Sequence, residues 1–147
     1  MKIVNGDFWK VSREYQYLVC PTNGIVKEDG SLVMGAGLAL HFKIRYKNID
    51  KRLGYMVKTY GNNVYLDVND TDRGNVISFP TKHHYNDNSD IELIKQSIKQ
   101  MNYLSKVLEL DKILLPLVGC GLGNLNKDEV LPLLEQLDDR FTLCLKE

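Results

Sequence analysis

The alternation of two apolar patterns constrains the fold of this 147-residue chain more than any other feature of its sequence. Six short apolar runs are typical of β-strands, and several are continuous, as in strands covered on both faces. Stretches with apolar residues at helical spacing lie between them. This alternation predicts an α/β domain with helices on both faces of a mostly parallel sheet. The predicted strands are residues 2–5, 17–20, 64–68, 76–79, 113–118 and 141–145.

Three helices are predicted from apolar stripes over residues 49–60, 91–108 and 130–137. Residues 89–92, Ser-Asp-Ile-Glu, resemble a capping box that opens the second helix, with Ser89 as its first residue. Asn126 with Glu129 resembles another capping box before the third helix. The sequence therefore marks the starts of two helices as well as their buried faces.

The length suits a single domain covering residues 1–147. A chain of this size buries about 70% of its unfolded surface, so it requires no disulfide or metal to fold. The polar segments 69–75 and 85–88 predict a turn and a loop, and both are too short to be domain linkers.

Charge indicates which partners the protein could bind, and cysteine content indicates its redox compartment. The 19 basic residues balance 19 acidic ones without a long basic run, so charge does not indicate nucleic acid as a partner. Cys20, Cys120 and Cys144 are odd in number and widely spaced, which favours reduced thiols in a cytoplasmic protein. The sequence has neither a signal-peptide pattern nor a run of about 18 apolar residues, so we expect no membrane association.

Two glycine-rich loops follow predicted strands. The first glycine loop is residues 35–38 and the second glycine loop is residues 119–123. Open α/β sheets bind ligands beyond the carboxyl ends of their strands, where glycines let backbone N–H groups approach an anion. Either loop alone could simply make a tight turn. Together, at two junctions between a strand and a helix, they favour a ligand with two phosphates.

Neither loop matches a common nucleotide-binding motif. No Gly-Lys-Ser/Thr follows a glycine at the spacing of a P-loop, and residues 35–40 lack the third glycine of the dinucleotide fingerprint. The first glycine loop is also far from the first strand, where that fingerprint belongs. Classical dinucleotide dehydrogenase chemistry is therefore disfavoured.

Five segments of the sequence stand out as motifs: Asn5-Gly6-Asp7-Phe8, Pro21-Thr22-Asn23-Gly24, Met34 to Lys43, Phe79 to His84 and Pro116 to Gly123. Taken in this order, they resemble the motifs of the macrodomain family. The likeness is greatest to the branch with DNA ADP-ribosyl glycohydrolase antitoxins and terminal ADP-ribose glycohydrolases. It implies a three-layer α/β/α fold with a central mixed, mostly parallel sheet, and ADP-ribose as the ligand.

The resemblance implies binding roles for individual residues. Asp7 would accept a hydrogen bond from the adenine amino group beside the Phe8 N–H, and Asn23 would contact the distal ribose. The alternatives are that Asp7 caps a helix start and that Asn23 makes an Asx turn. The residues implied to enclose the diphosphate and distal ribose are Gly35, Ala36, Gly37, Leu38, Gly119, Cys120, Gly121, Leu122 and Gly123.

Lys82 is the catalytic residue that the resemblance implies. The matching lysine of the glycohydrolase branch attacks the anomeric carbon of the distal ribose, and water later releases the Schiff-base-type intermediate. An amine attacks only when some of it is neutral, which burial or nearby positive charge favours. The alternative is a solvated lysine at a strand end, the commonest state of this residue.

The chain departs from the glycohydrolase pattern at two positions. Gly123 stands where some relatives carry an acidic residue that acts with the lysine, and Ala36 stands where the branch often has a lysine. The first departure requires a mechanism that uses the lysine alone. The second predicts a different substrate preference.

Several functions stay open from the sequence. The protein is a hydrolase acting through Lys82, a phosphatase of ADP-ribose 1″-phosphate, a non-catalytic reader of ADP-ribose, or an unrelated nucleotide-binding α/β enzyme. We expect no cofactor and no metal, since no Cys or carboxylate spacing completes a site with His41, His83 and His84. The expected partner of a monomeric protein is ADP-ribose or an ADP-ribosylated macromolecule, and nucleic acid stays open as that modified substrate.

Overall fold

Six strands form one sheet in the computed structural model, which describes residues 1–69 and 74–146. They are β1 (Lys2–Asn5), β2 (Tyr17–Thr22), β3 (Tyr65–Asp67), β4 (Asn75–Pro80), β5 (Ile113–Pro116) and β6 (Phe141–Leu145). Their order in the sheet is β1-β6-β5-β2-β4-β3. Only β3, at one edge, runs antiparallel to its neighbour. The predicted mixed, mostly parallel sheet is confirmed.

Helices cover both faces of the sheet. They are α1 (Phe8–Val11), α2 (Gly37–Arg45), α3 (Ile49–Tyr60), α4 (Ile91–Val107) and α5 (Lys127–Leu134), and a 3-10 turn covers Ser12–Glu14. One apolar core contains buried residues of α4 and α5, and the other contains those of α2 and α3. Val19 belongs to the first core whereas its neighbours Leu18 and Cys20 belong to the second. Both faces of β2 are therefore buried, which explains its continuous apolar sequence.

Several predicted element boundaries are wrong by one to three residues, among them the ends of β5 and α5. The strand predicted over residues 113–118 ends at Pro116, because the chain turns there into the second glycine loop. The helix predicted to reach residue 137 ends at Leu134, although the Leu137 side chain is still buried in the core. Residues 70–73 of the predicted turn lie outside the described residues.

The start of α4 also differs from the prediction. Its N-cap is Asp90, whose Oδ1 accepts hydrogen bonds from the backbone N–H groups of Glu92 (2.9 Å) and Leu93 (3.4 Å). Ser89 is not the cap, because the carbonyl of Asp90 accepts the first bond of the helix, from Ile94 N at 3.0 Å. The prediction for α5 is correct, since Asn126 Oδ1 accepts from Asp128 N at 2.9 Å.

All three cysteines are free thiols. Cys20 and Cys144 are buried, whereas Cys120 is half-buried. Burial raises the pKa of Cys20 well above its ordinary value, which leaves the thiol protonated at neutral pH.

Gly54, in the middle of α3, provides a test of how that helix packs. A Cβ at this position would overlap the Gly30 carbonyl and lie 2.7 Å from the Leu32 nitrogen. We expect Gly54→Ala to lower the free energy of unfolding by about 1–3 kcal/mol, although alanine favours a free helix by roughly 1 kcal/mol. Urea denaturation measures this. Exposed Lys58 on the same helix is the control, with a change of less than about 0.5 kcal/mol expected for Lys58→Ala. A Gly54→Ala variant as stable as the parent would contradict the close contact.

Candidate functional site

A cleft of about 780 Å³ lies beyond the carboxyl ends of β2, β4 and β5. Three segments form its walls: residues 33–39 before and within α2, residues 81–89 between β4 and α4, and residues 116–124 after β5. Adjacent parallel strands end at the same edge of a sheet, so these segments meet although they are far apart in sequence. The cleft is therefore at the place where α/β proteins bind their ligands.

The structure brings most of the predicted site residues to this cleft. Those lining it are Asn23, Gly35, Ala36, Gly37, Leu38, Lys82, Gly119, Gly121, Leu122 and Gly123. Three others are not in its wall, namely Asp7, Phe8 and Cys120. Cys120 packs against the apolar core, and its Sγ contacts the Val118 carbonyl at 3.6 Å.

Asp7 and Phe8 follow β1, and β6 lies between β1 and the strands that border the cleft. Asp7 caps α1, with its Oδ2 accepting from Lys10 N at 3.1 Å, so the alternative reading of this residue as a helix cap is present in the structure. The Phe8 ring packs edge-on against Trp9 and Phe42. A ligand that contacts both the cleft and Asp7 must cross the end of β6.

The start of α2 leaves backbone donors free at the cleft. Ala36 is the N-cap of this helix, and no side chain of the described residues caps it. The first N–H groups of a helix have no partner within the helix, so those of α2 are available to an anion. The helices α4 and α5 differ, because Asp90 and Asn126 cap them.

The two glycine loops approach each other directly. A Cβ at Gly37 would lie 3.0 Å from Leu122 Cδ1, so Leu122 rests where residue 37 has no side chain. Gly37 has φ +58° and Gly119 has φ +79°, a region that L-residues with side chains rarely adopt. Backbone groups of both loops therefore line one cleft.

Asn23 is buried in the cleft wall and makes the Asx turn that was the alternative to ribose binding. Its Oδ1 accepts from Ile25 N at 3.0 Å, and its Nδ2 donates to the Val33 carbonyl at 2.9 Å. An amide has two N–H donors and two acceptor lone pairs on its oxygen. These two bonds therefore leave one donor and one acceptor site for a ligand.

Lys82 reaches across the mouth of the cleft. Its Nζ lies 3.4 Å from the carbonyl oxygens of both Tyr85 and Leu122, so it connects segment 81–89 with the second glycine loop. Within residues 1–69 and 74–146, no carboxylate lies within 4.0 Å of this amine. The two carbonyl bonds use two of the three N–H donors of the ammonium group, so one donor is left.

Asn62, which no sequence pattern indicated, holds the backbone of Lys82. Its Nδ2 donates to the Lys82 carbonyl at 3.0 Å. The next carbonyl, that of His83, accepts from Gly24 N at 3.2 Å. The backbone of Lys82 is thus fixed by two segments that are distant in sequence.

Residues 85–89 also line the cleft, although the sequence indicated only a loop there. The Tyr85 ring stacks on His84 with centroids 4.2 Å apart. His83 Nε2 lies 3.1 Å from Asp90 Oδ2. Desolvation raises the pKa of Asp90, but hydrogen bonds from Glu92 N, Leu93 N and His83 outweigh it and hold that pKa below its usual range. The charged cap anchors the segment after Lys82 to α4.

Residues 1–69 and 74–146 contain neither a metal-binding cluster nor a membrane-spanning helix. No cluster of three or more His, Cys, Asp or Glu side chains is placed to hold a metal ion there. No helix in these ranges has the length and apolar character required to cross a bilayer.

The chain belongs to the Macro domain family, whose profile matches residues 29–134. It is similar in fold to the macrodomain of Mycobacterium tuberculosis DarG, with a TM-score of 0.81 and 24% identity over 98% of this chain and 95% of that one. The macrodomain of Thermus aquaticus DarG is similar with a TM-score of 0.74 and 23% identity, over 99% of this chain and 97% of that one. The structure of Thermosipho africanus DarTG in complex with ADP-ribose is similar with a TM-score of 0.80 and 24% identity, over 98% of this chain and 41% of that one. No curated protein matches. The predicted macrodomain resemblance and fold are confirmed.

Gly123 and Gly121 form a matched pair within the second glycine loop. A Cβ at Gly123 would overlap Ser89 Oγ and lie 2.5 Å from the Gly119 carbonyl oxygen, whereas a Cβ at Gly121 meets nothing within 4 Å. We expect Gly123→Ala to lower the free energy of unfolding by about 1–3 kcal/mol and Gly121→Ala to change it by less than about 0.5 kcal/mol. Urea denaturation measures the free energy of unfolding of both variants. Equal decreases in the two variants would contradict this packing. The same contacts exclude an acidic side chain at residue 123.

Proposed function

We propose that this protein binds ADP-ribose in the cleft and hydrolyses the bond between ADP-ribose and a modified macromolecule, with Lys82 as the nucleophile. One observation carries the proposal: the Lys82 amine lies against the second glycine loop, and that loop contacts the first at the uncapped start of α2. Family membership supports ADP-ribose as the ligand. The complex of Thermosipho africanus DarTG with ADP-ribose supports it as well.

The diphosphate would bind between the two glycine loops. The free N–H groups of α2 present partial positive charge on one side, and residues 119–123 supply close backbone approach on the other. Asn23 would use its remaining donor and acceptor on the distal ribose. The adenine would lie over β6, where the second oxygen of Asp7 and the Phe8 N–H would meet its edge.

Lys82 would act in its neutral form, with its amine lone pair directed at the distal ribose. The neutral amine would attack the anomeric carbon of the distal ribose, and the bond between this carbon and the carrier would break. The carrier would leave with the electron pair and take up the proton that the attacking nitrogen loses. Opening of the sugar ring would give the Schiff base between Lys82 and ADP-ribose. Water would then add to this intermediate, release ADP-ribose and restore the amine. The absence of a carboxylate near Nζ in the described residues means that this route uses the lysine without a paired acid.

The same absence favours a non-catalytic reader as the second candidate function. A lysine held by two carbonyls, with no acid beside it, could instead donate a hydrogen bond to bound ADP-ribose. The reader and the hydrolase share the ligand and differ only in whether Lys82 forms a covalent bond.

Isothermal titration of ADP-ribose tests the binding proposal. We expect saturable binding to the parent protein and at least about a tenfold weaker affinity for Gly121→Glu, because a carboxylate beside the cleft repels the diphosphate. The control is Gly121→Ala, which adds a side chain in open space without charge. If the parent protein fails to bind ADP-ribose, the proposed function is wrong.

Turnover of an ADP-ribosylated macromolecule tests the role of Lys82. We expect Lys82→Ala to lower kcat by about 100-fold or more while the Kd for ADP-ribose changes by less than about threefold. Lys82→Arg keeps the positive charge without a nucleophilic amine, so it should be as inactive as Lys82→Ala. Lys95→Ala, at an exposed lysine paired with Glu92, is the unaffected control.

Borohydride trapping separates the two candidate functions. A Schiff base with Lys82 would be reduced to a stable adduct that mass spectrometry locates on the peptide containing residue 82. If the protein binds ADP-ribose but shows neither turnover nor an adduct, it is a non-catalytic reader. An active Lys82→Arg variant would rule out the lysine nucleophile.

A further inference from the structure

Ser89 has a buried hydroxyl without a hydrogen-bond partner in the wall of the cleft. The residue is only 6% exposed, and no described atom pairs with its Oγ. It stands immediately before Asp90, the N-cap of α4, and its backbone N–H donates to the Gly123 carbonyl at 2.8 Å. The hydroxyl therefore lies beneath the second glycine loop.

Four of the six buried serines in the described residues have paired hydroxyls, whereas those of Ser31, outside the cleft wall, and Ser89, within it, have no partner. The hydroxyls of Ser12, Ser97 and Ser105 donate to backbone carbonyls at 2.7–2.9 Å, and that of Ser78 pairs with the backbone of Tyr65. A buried polar group without a partner costs free energy, so its presence at a ligand cleft calls for an explanation. A ligand that supplies the missing acceptor is such an explanation.

Gly123 is the group that covers the Ser89 hydroxyl. A Cβ at residue 123 would overlap Ser89 Oγ, so the hydroxyl occupies the space that a side chain at residue 123 would take. The loop is held at its start by Gly119 in a left-handed conformation, and Gly121 has open space around it. A small shift of the loop toward a bound anion would expose the hydroxyl to the cleft.

We propose that the Ser89 hydroxyl donates a hydrogen bond to a diphosphate oxygen of the bound ligand. This inference rests on the proposed binding of ADP-ribose and adds a contact from the start of α4 to those of the two glycine loops. In the free protein the hydroxyl lies under Gly123 without a partner, and it makes this hydrogen bond only in the complex. The competing explanation is purely steric, namely that residue 89 is small because the loop leaves no room for more.

Ser89→Ala distinguishes the two explanations because it keeps the small size and removes only the donor. We expect ADP-ribose and ADP to bind the variant about 10- to 100-fold more weakly by isothermal titration, since a hydrogen bond to a charged oxygen is lost. We expect the Tm of the free variant to stay equal or rise, because a buried hydroxyl without a partner is removed. Ser105→Ala is the control, since it deletes a buried hydroxyl outside the cleft wall and should leave both affinities unchanged.

Each other outcome has a definite meaning. Unchanged affinity of Ser89→Ala, with the parent binding ADP-ribose, would overturn the contact and leave the proposed function intact. Weaker binding of ADP-ribose alone, with ADP unaffected, would overturn the assignment to the diphosphate. A Tm several degrees lower would show that the hydroxyl has a partner in the free protein, which also contradicts the proposal. A parent protein that binds neither nucleotide would instead overturn the proposed function on which the inference rests.

Discussion

The parallel pairing of β2 with both β4 and β5 is the constraint on which the site depends. Residues 17–22 of β2 align with 75–80 of β4, and Tyr17 and Leu18 also align with the first residues of β5. Three strands that point the same way must release their following loops at one edge of the sheet. The segment with Asn23, the segment with Lys82 and the second glycine loop therefore converge although about 100 residues separate the first from the last.

Convergence alone would not make a cleft, because the loops must also approach without side chains between them. Gly24 shows the requirement, since a Cβ there would lie 2.9 Å from Asn62 Nδ2 and 3.1 Å from the His83 carbonyl. Gly123 shows it again beneath the second glycine loop, where Ser89 fills the space of a side chain. The glycines are thus needed twice, for packing and for presenting backbone groups. This is why the sequence alone could not decide between tight turns and ligand binding.

The sequence predicted the parts of the molecule that follow from local periodicity and left out those that depend on tertiary contacts. Continuous apolar runs located all six strands, and the helical stripes located α3, α4 and α5. The four-residue helix α1 is too short to show a period, and the N-cap of α4 was placed one residue early because Ser89 and Asp90 both suit that role. Asn62 could not have been found, since its role is a single bond to a carbonyl 20 residues away. The position of Asp7 outside the cleft wall depends on the strand order, which periodicity does not specify.

The helices differ in whether a side chain caps their start: α2 and α3 have no side-chain cap, and of these two only α2 lines the cleft. Asp90 and Asn126 satisfy the starts of α4 and α5 with their own side chains, whereas Ala36 leaves the start of α2 without a cap. Replacing a good N-cap by alanine costs about 1 kcal/mol, so α2 forms at the expense of some stability. That cost is offset if an anion takes the place of the cap. If the cleft binds a diphosphate as proposed, Ala36 supplies no side-chain charge, and the chain would hold the ligand there by backbone donors. Recognition through fixed amides depends on the shape of the diphosphate more than on its net charge, which suits a protein whose basic and acidic residues balance.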